Sequence, residues 1–287
     1  MSRKCVCPRW AAFGFAALAF LAGEAVLRPG LAAGSSPAKD GSVEIAGQYS
    51  ISFNGFHIGD ARIDQRVTGR TYTASSDIEI SALLGAVRWK GVTRASGTVT
   101  GEKIVPSGYD FQFEGSSKSG SVRIGFEKGT VSELMAIPLT ADPDDFVPLS
   151  PSHVRSVIDP LSAIVAVSRP SAEPCGRKFA VFDGKQRFDL ALLPTRREAV
   201  SAGRNGATVE GVVCRVKYTP VAGYRNNAET RALAESTGIE VTFRPVSEAR
   251  LWTPYRVTIP TIAGFVSLEA TRYDISAPGQ AEIALVD

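Results

Sequence analysis

Apolar and polar side chains alternate one by one through most of this chain, and no other feature restricts its fold as severely. Tyr49, Ile51 and Phe53 alternate with Gln48, Ser50 and Ser52, and Tyr72, Ala74, Ile78 and Ile80 with Thr71, Thr73, Asp77 and Glu79. The same period recurs at Tyr109–Glu114, Val122–Glu127, Val212–Thr219 and Ile239–Arg244. A strand sends successive side chains to opposite faces, so this pattern describes half-buried antiparallel strands. Asn54-Gly55 separates two such runs and tolerates the positive φ of a tight hairpin. Gly69-Arg70, Lys128-Gly129 and Asp183-Gly184 punctuate in the same way. The expectation is a mainly β protein: a strongly curled antiparallel sheet or an open β-barrel, as a single domain over residues 45–275. Two lobes split near 138–152 are the alternative. An integral outer-membrane barrel fits less well, because long loops punctuate the strands on both sides and Leu285-Val286-Asp287 carries no aromatic girdle residue.

Three segments break the alternation. Pro138, Pro143, Pro148 and Pro151, mixed with Asp142, Asp144 and Asp145, exclude regular pairing over about 138–152 and read as a solvated acidic turn. Asp159-Pro160 then opens an apolar run to Val167, which predicts one short helix around 160–168 with Asp at the N-cap and Pro at the first position. Residues 226–237 are polar and Ala-rich, a loop or a marginal helix. Residues 276–287 are expected to be a loose tail.

The first 33 residues have a separate logic. Arg3, Lys4 and Arg9 precede an apolar stretch from Trp10 to Ala22, and small residues follow to Ala33. This is the build of a signal peptide, too short in its apolar core for a spanning helix. It predicts export to the periplasm, with an uncleaved inner-membrane anchor as the alternative and no integral span after cleavage. Residues 34–44 read as a flexible lead-in. Residues 1–33 hold four cations and one anion, so removing them takes the formal net charge from +3 to zero. The remaining body offers no basic footprint for nucleic acid.

Cys175 and Cys214 remain beyond the leader, and in an oxidising compartment such a pair reads first as a disulfide. A reactive thiol at Cys175 is the competing reading. His57 and His153 are too few for a zinc site once the cysteines are bonded, so no metal is expected. Gly115-Ser116-Ser117-Lys118-Ser119-Gly120 lacks the second glycine of a nucleophile elbow and reads as a hairpin turn. No phosphate-cradling glycine loop opens a helix, so no nucleotide or other cofactor is expected. The aromatic residues carry more content. Tyr49, Phe53, Tyr109, Phe111, Phe113 and Phe126 share the apolar parity of their strands. They are either ordinary core or the lining of a slot for a lipid-like ligand, which the helix at 160–168 would then plug.

Four segments also carry a resemblance: Tyr49 through Gly59, Asp159-Pro160-Leu161-Ser162-Ala163, Phe182-Asp183-Gly184-Lys185-Gln186-Arg187, and Ala222-Gly223-Tyr224. In order and spacing the chain resembles the domain-of-unknown-function 3108 family over roughly residues 45–275. The resemblance implies an exported, mainly β envelope protein of Gram-negative bacteria with no assigned activity and no catalytic residues to carry over. The expected function is non-enzymatic: binding of a lipid-like or other apolar ligand in envelope maintenance. A structural or partner-docking module of the envelope, using a strand edge or the 225–237 loop, is the alternative, and an envelope hydrolase a third.

Overall fold

A computed structural model describes residues 41–138, 145–168, 173–204 and 206–287. The leader and most of the lead-in lie outside these residues. The chain is mainly β. Seven strands run up and down in sequence: β1 (Ser42–Phe53), β2 (Phe56–Thr68), β3 (Thr71–Ala82), β4 (Val87–Thr100), β5 (Lys103–Gly115), β6 (Ser119–Glu127) and β7 (Thr130–Ile137). The Asn54-Gly55 turn joins β1 to β2 with positive φ at both residues, as the sequence predicts. The segment after Gly115 is the expected hairpin turn between β5 and β6.

The proline-rich connection holds a two-residue strand, β8 (Phe146–Val147), before helix α1 (Pro160–Val167). Asp159 caps α1, its Oδ1 accepting the Ser162 N–H at 2.8 Å, which satisfies one of the otherwise orphaned first-turn donors. At the other end the Arg177 guanidinium donates to the Ala166 carbonyl at 2.5 Å, a favourable place for a cation. Six of the eight helical residues are buried, so α1 is an internal element and not a surface amphipath.

The second half contributes β9 (Lys178–Phe182), β10 (Arg187–Ser201), β11 (Thr208–Ala222), β12 (Tyr224–Arg225), helix α2 (Ala228–Glu235), β13 (Glu240–Val246), β14 (Leu251–Thr261), β15 (Gly264–Ser276) and β16 (Ile283–Val286). The stretch around 226–237, ambiguous in sequence, is thus a helix over eight residues, capped by Asn227 accepting the Thr230 N–H at 2.9 Å. β8 pairs β12 in a small separate ladder.

All the other strands form one 14-stranded antiparallel sheet in the order β7-β6-β5-β4-β3-β2-β1-β15-β14-β13-β11-β10-β9, with β16 on β15. The ladder is open. β7 and β9 end it, and no pairing among the described residues joins them, so the large antiparallel sheet expected from sequence is formed and is not closed into a barrel. β1 pairs β15 over ten residue pairs, so the halves before and after the proline-rich stretch share one continuous sheet.

Residues 276–287, expected to be a loose tail, are corrected by the structure. β16 pairs β15 from Ile275↔Ile283 to Arg272↔Val286, and Ile283 and Leu285 enter the core. The reason is another long-range contact: Asp287 forms an ion pair with the buried Arg244 at 2.7 Å, and no local pattern announces that partner.

The core has three clusters. One joins Ile45, Tyr49 and Ile51 to Tyr273, Leu251 and Leu285. A second sets Leu161 and Val165 of α1 and Phe182 of β9 among Tyr72, Tyr109, Ile124 and Phe126. The third surrounds the Cys175–Cys214 disulfide with Leu192, Val212, Val216 and Phe243.

Candidate functional site

The face of β1–β6 that carries the alternating apolar residues is covered unevenly. Helix α1 packs on β3, β4, β5 and β9, and the residues it covers (Tyr72, Ala74, Ala95, Val99, Ile104 and Tyr109 among them) lie in the half away from the β1–β2 and β3–β4 turns. Toward those turns burial fades along β1, β3 and β5, while Trp89, Gly91 and Thr93 of β4 stay buried. Along β3, Tyr72, Ala74 and Ser76 are buried while Ile78 and Ile80 are half-buried. Along β5, Tyr109 is buried but Phe111 and Phe113 are half-buried. β1 closes the same way, from buried Ile51 to half-buried Phe53. An apolar band therefore stays partly open at one end of the inner face, and it is aromatic. Phe111 stacks on Phe113 with centroids 5.6 Å apart, and Trp89 leans on Phe111 at 6.3 Å.

The six aromatic residues named from sequence thus divide. Tyr49, Tyr109 and Phe126 sit in the closed core. Tyr49 and Tyr273 share a hydrogen bond between their hydroxyls, and Tyr273 donates to the Pro254 carbonyl at 2.9 Å. Burial pushes the Tyr49 phenol up to about 12, so it is neutral at physiological pH and holds structure. Phe53, Phe111 and Phe113 remain at the open end. Trp89 packs beside them but is itself buried; its place on β4, with the alternating parity of Gly91 and Thr93 behind it, is the signal that could have found it.

The short helix expected around 160–168 is present as α1. Ser162 of α1 donates to the Asp159 carboxylate and meets the Tyr72 hydroxyl at 2.5 Å. Desolvation holds the Asp159 carboxyl above the usual range, opposed by these hydrogen bonds. This buried chain anchors the helix to β3.

The opposite, polar face of the sheet bears a groove of about 870 Å³. Its floor is small hydroxyl residues, Thr73, Ser75, Ser96 and Ser107, and its charges are largely paired, Arg66 with Glu44 at 2.9 Å and Arg123 with Asp110 at 2.8 Å. Sequence reasoning also missed a Ser50–His57–Asp60 arrangement on this face. Ser50 Oγ meets His57 Nδ1 at 2.9 Å, but the Asp60 carboxylate stands 3.6 Å from Nε2 and its side chain is 74% exposed. Water competes for both groups, so this carboxylate does not orient the imidazole as a buried triad acid would. Among the described residues no cluster of His, Cys, Asp or Glu has the grouping for a metal ion. No helix among them is long and apolar enough to cross a membrane.

Three of the four segments that carry the resemblance meet one another, and the fourth, Tyr49 through Gly59, forms the β1–β2 hairpin. Ile158, next to the α1 cap, donates to the Ala180 carbonyl and accepts from Phe182 N, both at 2.9 Å. Asp183 turns β9 into β10 by accepting the Lys185 and Gln186 N–H groups. Gly223 has φ +74°, and a Cβ there would lie 1.8 Å from the Lys185 carbonyl oxygen, so only glycine lets β11 pass that turn. These residues assemble the junction of α1, β9, β10 and β11. A model of the family described as a protein of unknown function, DUF3108, matches residues 48–271. The chain belongs to the DUF3108 family. No curated protein and no solved structure matches it significantly. The DUF3108 match runs from within β1 to within β15, so the open aromatic band lies inside the matched residues and β16 lies beyond them.

Proposed function

We propose that this DUF3108 protein is an exported, non-enzymatic binder of a lipid-like ligand, held on the turn-side half of the sheet's inner face. One observation carries the reading: α1 fills only half of that face and leaves Phe53, Ile78, Ile80, Phe111 and Phe113 half-buried. Apolar sites with few polar groups suit acyl chains. The disulfide supports an oxidising destination, since such bonds rarely persist in a reducing cytosol.

The test is saturable binding of a fluorescent fatty acid, together with native mass spectrometry of the purified protein. Phe113→Asp is expected to weaken binding by about tenfold or more, since it places a charge on the apolar band. Parent protein that neither binds the probe nor carries any co-purifying lipid overturns the reading. For export, N-terminal sequencing of periplasmic material is expected to begin near residue 34, whereas intact chain in the cytosol with Cys175 and Cys214 reduced argues the other way.

A second reading has its own support. β7 ends the sheet, and Leu134, Met135 and Ile137 are exposed on it. An apolar edge strand is a template for strand addition by a partner. Crosslinking from a probe at position 135 that recovers no reproducible partner removes it.

A further inference from the structure

One row of the inner face is not wholly apolar. It lies at the boundary between the half that α1 covers and the open half. Ile63 of β2 stands opposite Ser76 of β3, Ser76 opposite Thr93 of β4, and Thr93 opposite Phe111 of β5. The next row toward α1 is Gln65, Ala74, Ala95 and Tyr109, and the next toward the turns is Ala61, Ile78, Gly91 and Phe113. Ser76 and Thr93 therefore set two hydroxyls side by side where the aromatic band begins.

Ser76 and Thr93 are only 6% and 9% exposed, yet among the described residues neither hydroxyl has a hydrogen-bond partner. Serine and threonine opposed across a ladder commonly bond each other, as Ser52 does with Ser267 at 2.7 Å. Gln65, the buried polar residue of the row toward α1, is also used, donating to Ser168 Oγ at 3.3 Å. Polar side-chain atoms that are both sealed and unpaired belong, among the described residues, to arginines alone. Solvent-sized groups therefore still reach the Ser76 and Thr93 oxygens, and with α1 packed on the row behind them the way in is through the open band. Unpaired hydroxyls at this depth are costly to the fold, and alanine or valine would continue the apolar row without that cost.

We propose, resting on the ligand reading, that Ser76 and Thr93 form a polar subsite for a neutral oxygen within the ligand's chain, a hydroxyl or an ester carbonyl. The substrate class is then an oxygenated acyl chain and not a plain hydrocarbon one. Charge selects the neutral group. No charged side chain stands in this row from Gly47 to Val122, or in the turn-side row from Tyr49 to Gly120, so a carboxylate here would be buried without a counter-ion. Hydroxyls both donate and accept, which suits either neutral oxygen. Phe111, beside Thr93, is stacked on Phe113 and touched by Trp89, so methylenes flanking the oxygen meet an aromatic surface. A site built to bond an oxygen rejects the analogue that lacks it, because its own polar groups then stay unpaired.

The experiment is displacement of the fluorescent fatty acid from the full chain by competitors of equal chain length. These are a saturated fatty acid, its counterparts hydroxylated near the carboxyl, at mid-chain or near the methyl end, and a monoacylglycerol. At least one oxygenated competitor is expected to bind about tenfold or more tighter than the saturated acid, and the one that does so separates a hydroxyl from an ester carbonyl. Ser76→Ala with Thr93→Val is expected to bring that ratio to about one. Its melting temperature is expected to stay level or rise, since no hydrogen bond within the protein is lost. A parent that binds saturated and oxygenated chains alike overturns the subsite and leaves the ligand reading standing, as does a double variant that keeps the preference. A double variant that melts about 5 °C or more below the parent also overturns it, because the hydroxyls would then serve the fold. A parent that binds neither the fluorescent acid nor any competitor removes the ligand reading, and the subsite with it.

Discussion

Replacing Asp287 with alanine tests the packing argument most sharply. Its partner Arg244 is one of the largest fully buried side chains, with 1% of its side chain exposed, and Asp287 has 9%. The carboxylate accepts from Arg244 Nη1 at 2.7 and 2.8 Å, and the guanidinium lies over the rings of Tyr255 and Tyr273 at 5.3 and 5.6 Å. Among the described residues Arg244 Nε and Nη2 find no acceptor, so the carboxylate, the two rings and a longer 3.4 Å bond from Nη1 to the Ser201 carbonyl stabilise the buried cation. Removing the carboxylate strands that charge, and breaking a buried pair from one side costs about 3–5 kcal/mol. Asp287→Asn keeps a neutral acceptor and is expected to cost about 1–3 kcal/mol. Removing both charges, with Arg244→Met and Asp287→Leu, also removes the desolvation penalty. That double variant is expected to fall within about 2 kcal/mol of the parent, giving a coupling of at least about 2 kcal/mol. The assay is urea unfolding followed by far-ultraviolet circular dichroism, with the disulfide intact. A cost below about 1 kcal/mol for Asp287→Ala, or strictly additive losses in the double variant, would falsify the claim that residues 276–287 are clamped through this pair.

Three further outcomes are expected. Cys175→Ser with Cys214→Ser opens a cross-link spanning 39 residues and is expected to cost about 4 kcal/mol on the chain-entropy model, seen as a lower urea midpoint that matches the reduced parent. Asp159 is buried with its carboxyl raised, so the folded chain keeps that proton to higher pH than the unfolded one, and the group's contribution to stability declines as pH rises from its ordinary value of 3.8 through the folded value. Asp159→Asn retains the acceptor for Ser162 N–H and is expected to flatten that slope in melting curves taken across pH; an unchanged slope refutes the assignment. A Cβ at Gly91 would lie 2.3 Å from the Trp89 ring, so Gly91→Ala is expected to displace the indole, shift tryptophan emission to the red and cost about 1–3 kcal/mol. Native emission and stability in that variant would mean that Trp89 does not lie over β4.

The site was legible in parts. Its aromatic strands were plain in the alternation, but alternation assigns a residue to a face and not to a position along that face. Tyr109 and Phe113 have the same parity on β5, yet one is core and the other stands at the open end, because α1, which starts 51 residues after Tyr109, returns to cover only the first. That the exposed Ile262, Phe56 and Leu83 stand on turns at one end of the sheet was not legible, since each residue is an unremarkable turn neighbour until the strand order sets the turns side by side.

Local chemistry written in the sequence determined the strands, the Asn54-Gly55 turn, the Asp159-Pro160 helix start and the Cys175–Cys214 pairing. Side-chain period, backbone tolerance and capping act over a few residues, and the two cysteines that follow residue 33 have only each other within that part of the chain. Tertiary structure alone decided that the sheet stays open, that residues 276–287 dock through Asp287 on Arg244, and which half of the apolar face is filled. Those outcomes depend on contacts between segments far apart in the chain, where packing and desolvation choose among partners that no short pattern distinguishes.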